Sequence, residues 1–158
     1  VLAQLEVPIA VVVAAMAAAA PGATRMLNPA PAVPLPAALL ASLDLLAPNE
    51  HEVGLLGGVD ALRRAGVARV VVTEGSRGAR LVDADGERRI PPCPARPVDT
   101  AGAGDAFCGY VAARLAAGDD VERALRAGSA AGALATETPG AVPSLPKWDK
   151  VQIRLESM

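Results

Sequence analysis

Residues Asp99 to Phe107 read D-T-A-G-A-G-D-A-F, and they constrain this chain more than any other stretch. Three small residues, Gly102, Ala103 and Gly104, precede an acid, Asp105, and a helix-forming run follows it. A glycine-rich turn feeding a helix leaves the first backbone amides without partners inside the helix. The helix dipole adds positive partial charge at the same place. The combination is an anion site, most often a phosphate site. A carboxylate facing phosphate oxygens is unfavourable unless it has chemistry to do there. The fitting chemistry is to take a proton from a hydroxyl that attacks the phosphate. An acid at a helix start more commonly acts as a plain cap. The Asp99-Thr100 pair and the spacing favour the catalytic role.

The chain has 158 residues, a one-domain length that can bury a real core. Hydrophobic residues make up 52% but aromatic ones only 2%, so Ala, Val and Leu must build that core. A net charge of -2 offers no footprint for nucleic acid. Cys93 and Cys108 lie far apart and have no metal-ligand spacing with the single histidine, His51. They read as buried small hydrophobes in a reducing, cytoplasmic setting. Ile9 to Ala20 is continuously apolar. It is shorter than the ~20 residues of a membrane span. Glu6 stands where a secretion signal would carry basic residues. The run reads as a buried, alanine-rich helix opened by Pro8.

Further along, strand-like and helix-like segments alternate. Strands are expected at Ala23–Leu27, Leu43–Ala47 and Arg69–Thr73. Helices are expected from Glu50 to Leu56, from Asp60 to Ala65, from Gly104 to Ala116 and from Val121 to Thr136. Ala79–Val82 and Glu87–Ile90 flank an Asp85-Gly86 turn and predict a small β-hairpin. Asn28 to Pro36 reads as an ordered loop or an extended stretch, Pro91 to Pro97 as a linker into the Asp99–Phe107 segment, and Pro139 to Pro146 as a loop. The tail after Lys147 carries no clear assignment. The alternation implies an α/β fold, a parallel sheet with flanking helices. Such a sheet, ending at Val1, would have an open strand edge, which favours aggregation.

The nonapeptide resembles the second signature of the ribokinase-like (PfkB-type) sugar kinases, and other segments match in the family's order. Gln4-Leu5-Glu6 is similar to its Q-L-E segment, and Asn28 to Ala32 to its N-P-A-P-A segment. Asn49 to Glu52 is similar to its N-x-x-E motif, Val71 to Ala79 to its nucleotide loop, and Gly140 to Pro146 to its C-terminal loop. The resemblance runs to about Pro146. It implies a three-layer α/β sandwich, of which residues 1–158 would be the C-terminal, nucleotide-binding half of a carbohydrate kinase domain. The N-terminal half and its lid would then lie outside the chain, and the isolated chain would be inactive.

The resemblance also implies roles. Asp105 corresponds to the catalytic base, and Gly102, Ala103, Gly104 and Asp105 to the anion cradle. Asn49, Thr73, Glu74, Gly75, Ser76, Arg77, Gly78 and Ser129 correspond to the ATP site, and Glu6 to a sugar-hydroxyl contact. Glu52 would serve Mg²⁺ through water, which suits a cation that dehydrates reluctantly. Asp99, Ala101, Ala135, Thr138, Gly140 and Ser144 map onto a K⁺ site. Each position also has a plainer reading. Asn49 and Glu52 fit an ordinary capping box, Gly75 to Gly78 a strand-to-hairpin turn, Ser129 a helix-packing residue, and Asp99 and Ser144 a turn. Glu74 departs from the family, which often carries a hydrophobic residue there.

The activity implied is ATP-dependent phosphorylation of a sugar, ribose to ribose 5-phosphate on the Q-L-E and N-P-A-P-A segments, in a protein expected to be a homodimer. Fructose-, adenosine- and ketodeoxygluconate-type chemistry stays open. The alternative is a nucleotide-binding remnant that transfers nothing. Neither the P-loop pattern G-x-x-x-x-G-K-[ST] nor an early G-x-G-x-x-G is present. Nothing points to a membrane partner.

Overall fold

The structure, a computed structural model, describes residues 1–157. Four strands, β1 (Leu2–Ala3), β2 (Met26–Leu27), β3 (Leu45–Leu46) and β4 (Val70–Thr73), pair in parallel in chain order. Leu2 lies beside Met26, Met26 beside Leu45, and Leu46 beside Val70. The hairpin strands β5 (Ala79–Asp83) and β6 (Gly86–Ile90) continue the sheet beyond β4. Parallel neighbours need crossover connections. Here these carry α1 (Ile9–Ala17), α2 (Ala37–Ser42), α3 (Glu50–Leu55) and α4 (Val59–Arg64). The expected α/β fold and hairpin are present. The strands at Ala23–Leu27 and Leu43–Ala47 are shorter than the sequence suggests, because only their central residues enter the ladder.

The chain divides into two compact units. The first comprises Val1–Glu74 with Arg80–Arg89. Val70, Val71 and Val72 are all fully buried, as are Met26, Leu27, Leu45 and Leu46. Strands buried on both faces read as continuous apolar runs, which is why V-V-V shows no alternation. Leu39, Leu62, Val12 and Met16 complete one core cluster with Leu27, Leu46, Val70 and Val72.

α1 corrects the sequence reading. It forms, but only Val12 and Met16, one turn apart, are buried. Val11 and Val13 are 53% and 41% exposed, and most of the helix's alanines face outward. An all-apolar helix has no polar face to mark its outer side, so sequence alone could not tell which residues pack. β1 lies at an edge of the sheet.

The second unit comprises Gly75–Ala79 and the chain from Ile90 onward. Its core is the pair α5 (Ala103–Ala116) and α6 (Val121–Ala135). Asp120 caps α6 by accepting the Arg123 amide at 2.9 Å. Ala106 packs with Ala127, Ala130, Ala131 and Ala135, so the helices approach closely. The unassigned tail forms α7 (Trp148–Glu156), with Val151 buried against this cluster. Trp148 stacks on Tyr110 at 6.1 Å, and the Arg114 guanidinium lies 4.4 Å from its ring centre. Cys93 and Cys108 are buried thiols, as expected. Burial pushes the Cys93 thiol above its ordinary value despite the nearby Arg154. Among the described residues no helix is long and apolar enough to cross a membrane.

Gly128 is where α5 and α6 are tightest. A Cβ there would lie 2.6 Å from Val111 Cγ2 and 2.9 Å from the Phe107 carbonyl oxygen. Gly128→Ala is therefore expected to destabilise the protein by about 1–3 kcal/mol. That outweighs the gain in helix propensity of about 1 kcal/mol. Urea unfolding measures it; a variant as stable as the parent would show that the helices can separate freely.

Candidate active site

In the first unit the parallel sheet gathers the motifs. Strands β1 to β4 run the same way, so the segments that follow them leave at one carboxyl edge. Q-L-E follows β1, N-P-A-P-A follows β2, N-x-x-E follows β3, and Glu74 follows β4. Backbone bonds knit them together. The Leu5 amide donates to the Ala30 carbonyl at 3.0 Å, and the Thr73 amide to the Pro48 carbonyl at 2.9 Å. Asn49 forms a parallel bridge to Thr73. The Asn28 side-chain amide donates to the Ala47 carbonyl at 3.2 Å. Glu6 is exposed just beyond β1.

Asn49 and Glu52 form a complete capping box. The Asn49 side chain accepts the Glu52 amide, and the Glu52 carboxylate accepts the Asn49 amide, both at 2.8 Å. This is the plainer of the two roles the spacing allows. It fixes both side chains at the start of α3, beside the end of β4.

Glu74 does not fit the role of a nucleotide contact. Only 9% of it is exposed, and its two carboxylate oxygens take Arg80 at 3.3 Å and Arg89 at 3.4 Å. Arg80 also pairs with Glu87 at 3.1 Å. Burial lowers the Arg80 guanidinium, but hydrogen bonds from it to Glu87 and Glu74 outweigh this and hold it above its ordinary value. The two arginines went unread in the sequence. The alternation of acid and base through Glu74, Arg80, Glu87 and Arg89 was the available signal.

In the second unit, Gly75–Arg77 make a single 3-10 turn, closed by the Gly78 amide donating to the Gly75 carbonyl at 3.0 Å. Gly78 has φ +90°, and a Cβ on it would lie 2.2 Å from the Ile90 carbonyl oxygen. No other residue fits there. Ser76 and Arg77 are exposed. Ser129 is half-buried on α6, its hydroxyl donating to the Pro91 carbonyl at 3.3 Å.

The signature loop is tied at both ends. The Val98 and Asp99 amides donate to the Thr136 carbonyl at 2.7 and 3.1 Å, just past Ala135. The Asp99 carboxylate accepts the Ala101 amide at 2.9 Å and the Gly140 amide at 2.8 Å. These two bonds, Gly140 first, hold Asp99 below the usual carboxylate range. Gly102 is left-handed (φ +77°), so the chain turns sharply into α5, and a Cβ there would lie 3.1 Å from Ala141. Buried Ser144 donates its hydroxyl to the Ala141 carbonyl at 2.9 Å. The structure thus brings Asp99, Ala101, Gly102, Gly140 and Ser144 together, with Ala135 at the adjoining end of α6 and exposed Thr138 just beyond it.

The Ala103 amide donates to the Thr100 carbonyl at 3.3 Å, closing the turn. Gly104 and Asp105 follow it in the first helical turn. Among the described residues no side chain caps this helix start, and Asp105 is exposed on it. Among the described residues no group of three or more His, Cys, Asp and Glu side chains is assembled for a metal.

The profile of the pfkB family carbohydrate kinases matches residues 2–148. The chain belongs to this family. It is 37% identical over 165 residues to the bifunctional ribokinase/ribose-5-phosphate isomerase A of Fructilactobacillus sanfranciscensis, covering 96% of this chain and 31% of that protein. Thermotoga maritima ribokinase superposes with a TM-score of 0.90 at 29% identity, over 98% of this chain and 56% of that one. Arabidopsis thaliana ribokinase complexed with ribose and ATP gives 0.88 at 31% identity, over 98% and 55%. This pfkB-family chain spans 31–54% of the length of the first curated relatives it matches.

The Asp99 tie gives the pfkB signature loop a pH dependence of known sign. A carboxyl held low in the folded state contributes fully above its unfolded value and loses that contribution as pH falls through the folded one. Asp99→Asn is expected to lower the melting temperature at pH 7. The gap to the parent should begin to close as pH falls below the ordinary carboxylate value of about 4, and go on closing as the folded carboxylate, held lower, takes up its proton. Melting curves from pH 7 to about 2.5 test it; a gap that ignores pH would show that the bonds to Ala101 and Gly140 contribute nothing.

Proposed function

We propose that the chain forms the nucleotide-binding and proton-abstracting part of an ATP-dependent sugar kinase. The observation that carries this reading is Asp105, an exposed carboxylate on the first turn of an uncapped helix that follows the left-handed Gly102. Transfer of a phosphoryl group requires little covalent chemistry from a protein, and positioning and charge stabilisation do most of it. Asp105 accepts the proton of the attacking sugar hydroxyl. The Gly104 and Asp105 amides, with the dipole of α5, stabilise charge as it builds on the transferred group.

Ribose is the sugar this reading favours, with ribose 5-phosphate as product. Support comes from the adjacency of Q-L-E and N-P-A-P-A, and from the ribose and ATP bound by the Arabidopsis relative. Glu6 is the candidate contact to a sugar hydroxyl. Candidate nucleotide contacts are Asn49 and Thr73 in the first unit, and Gly75 to Gly78 and Ser129 in the second. The donor set fits Mg²⁺ held through water, with Glu52 as its carboxylate; bound there, the metal neutralises phosphate charge. K⁺ fits a set of hard oxygens from the Asp99 carboxylate, the Ser144 hydroxyl and carbonyls near Ala101, Ala135, Thr138 and Gly140.

The alternative reading is a nucleotide-binding protein that transfers nothing. Ribose-dependent ADP release separates the two.

In the native protein Asp105→Asn is expected to lower ribose phosphorylation by about 10²–10⁴-fold. MgATP affinity should stay near the parent value. Steady-state assays with calorimetric binding measure both, and unchanged turnover would remove Asp105 as the base. K⁺ is expected to raise kinase activity over Na⁺ at equal ionic strength, and Asp99→Asn to reduce the difference. A rate indifferent to the monovalent cation would remove the K⁺ site.

A further inference from the structure

We propose that Glu74 is a positioning residue for the loop Gly75–Gly78: it holds the two ends of the loop without touching the nucleotide. The proposal rests on the reading of that loop as nucleotide-binding. Glu74 is the residue after β4, and Arg80 lies on β5 just past the loop. Their 3.3 Å ion pair therefore spans the base of the segment Gly75–Ala79. The other Glu74 oxygen takes Arg89 from β6 at 3.4 Å. One carboxylate so joins the strand that enters the loop, the strand that leaves it, and the next strand out.

Both oxygens are occupied and the side chain is 8% exposed, so the carboxylate is poorly placed to serve a ligand. A buried carboxylate is tolerated only when it is paired. Here the partners are planar guanidinium groups, which constrain direction as well as distance. An apolar residue at position 74 could fill the space. It would leave Arg80, itself only 26% exposed, with Glu87 alone and no tie across the loop. The loop is also closed from within, by the 3-10 turn and by Gly78 packed on the Ile90–Pro92 backbone. Its conformation then depends on how far apart its two ends are held. That distance is what the Glu74–Arg80 pair sets.

The experiment uses the 158-residue chain with Glu74→Gln, Arg80→Gln and the double variant. Hydrogen exchange is read at the Gly78 amide and at amides of α6, and MgATP is titrated calorimetrically. Each single variant should speed Gly78 exchange and weaken MgATP binding by roughly five- to tenfold, with α6 exchange unchanged. The double variant should be no worse than either single one, because both remove the same pair. In the parent, raising NaCl from low to high should speed Gly78 exchange selectively, since part of the pair reaches solvent; this arm holds even where a variant fails to fold. Gly78 exchange that ignores salt and both substitutions overturns the proposal. So does exchange that rises equally in α6, which marks general destabilisation. A parent that binds MgATP with an affinity the variants leave within twofold overturns this proposal alone. A parent that does not bind MgATP overturns the nucleotide reading, and this proposal with it.

Discussion

Parallel pairing of β1 to β4 is the constraint on which the first unit depends. Parallel strands all leave the sheet at the same edge, so four segments separated by up to about seventy residues are delivered to one line. The strands are very short; three of them contribute two residues each. Their order is maintained less by the ladder than by the apolar layer beneath it, where Leu27, Leu46, Val70 and Val72 meet Val12, Leu39 and Leu62. Side-chain volume, supplied by Leu and Val rather than by rings, fixes where the motif segments begin.

The second unit solves a different problem with smaller residues. α5 must present its first turn, and α6 must hold α5 from the side. Ala and Gly along the contact let the backbones approach so closely that a Cβ on Gly128 would lie 2.9 Å from the Phe107 carbonyl oxygen, and one on Gly132 3.1 Å from the Ala103 carbonyl oxygen. The second contact falls at the first residue of α5, so α6 braces the turn that carries Asp105. Bulkier core residues would widen the gap and release that turn. Tyr110, Arg114 and Trp148 secure the far end of α5, with the Tyr110 hydroxyl donating to the Pro146 carbonyl at 2.7 Å.

Much of this was legible in the sequence, and the exceptions share a cause. The glycine-rich signature, the capping box and the Asp85-Gly86 hairpin are local, so their residues announce them within a few positions. α2 was hidden behind the prolines that precede it. α7 was missed although Trp148, Val151 and Leu155 recur at helical spacing. The Asp99–Gly140 bond joins residues 41 apart, and no local pattern encodes it. The partners of Glu74 became visible only once β4, β5 and β6 were neighbours. The exposure of α1 was illegible because Val and Ala repeat all round it.

Asn49, Glu52 and Asp99 raise the question of whether a side chain that closes backbone structure can also serve a ligand. The acceptor inventory says it can. A carboxylate offers about four lone-pair positions. Glu52 gives one oxygen to the Asn49 amide, and Asp99 gives each oxygen to a single amide. Structural bonds of this kind also remove rotamer freedom before any ligand arrives. Ordering a flexible side chain on binding costs about 0.5–1.5 kcal/mol, and a side chain already fixed by a cap or a loop tie has met that cost in folding. The plain roles of these residues therefore do not compete with the kinase reading. A cap at the carboxyl edge of a parallel sheet is a carboxylate with a known direction, and the same bond that ends a loop aims the group at whatever enters there.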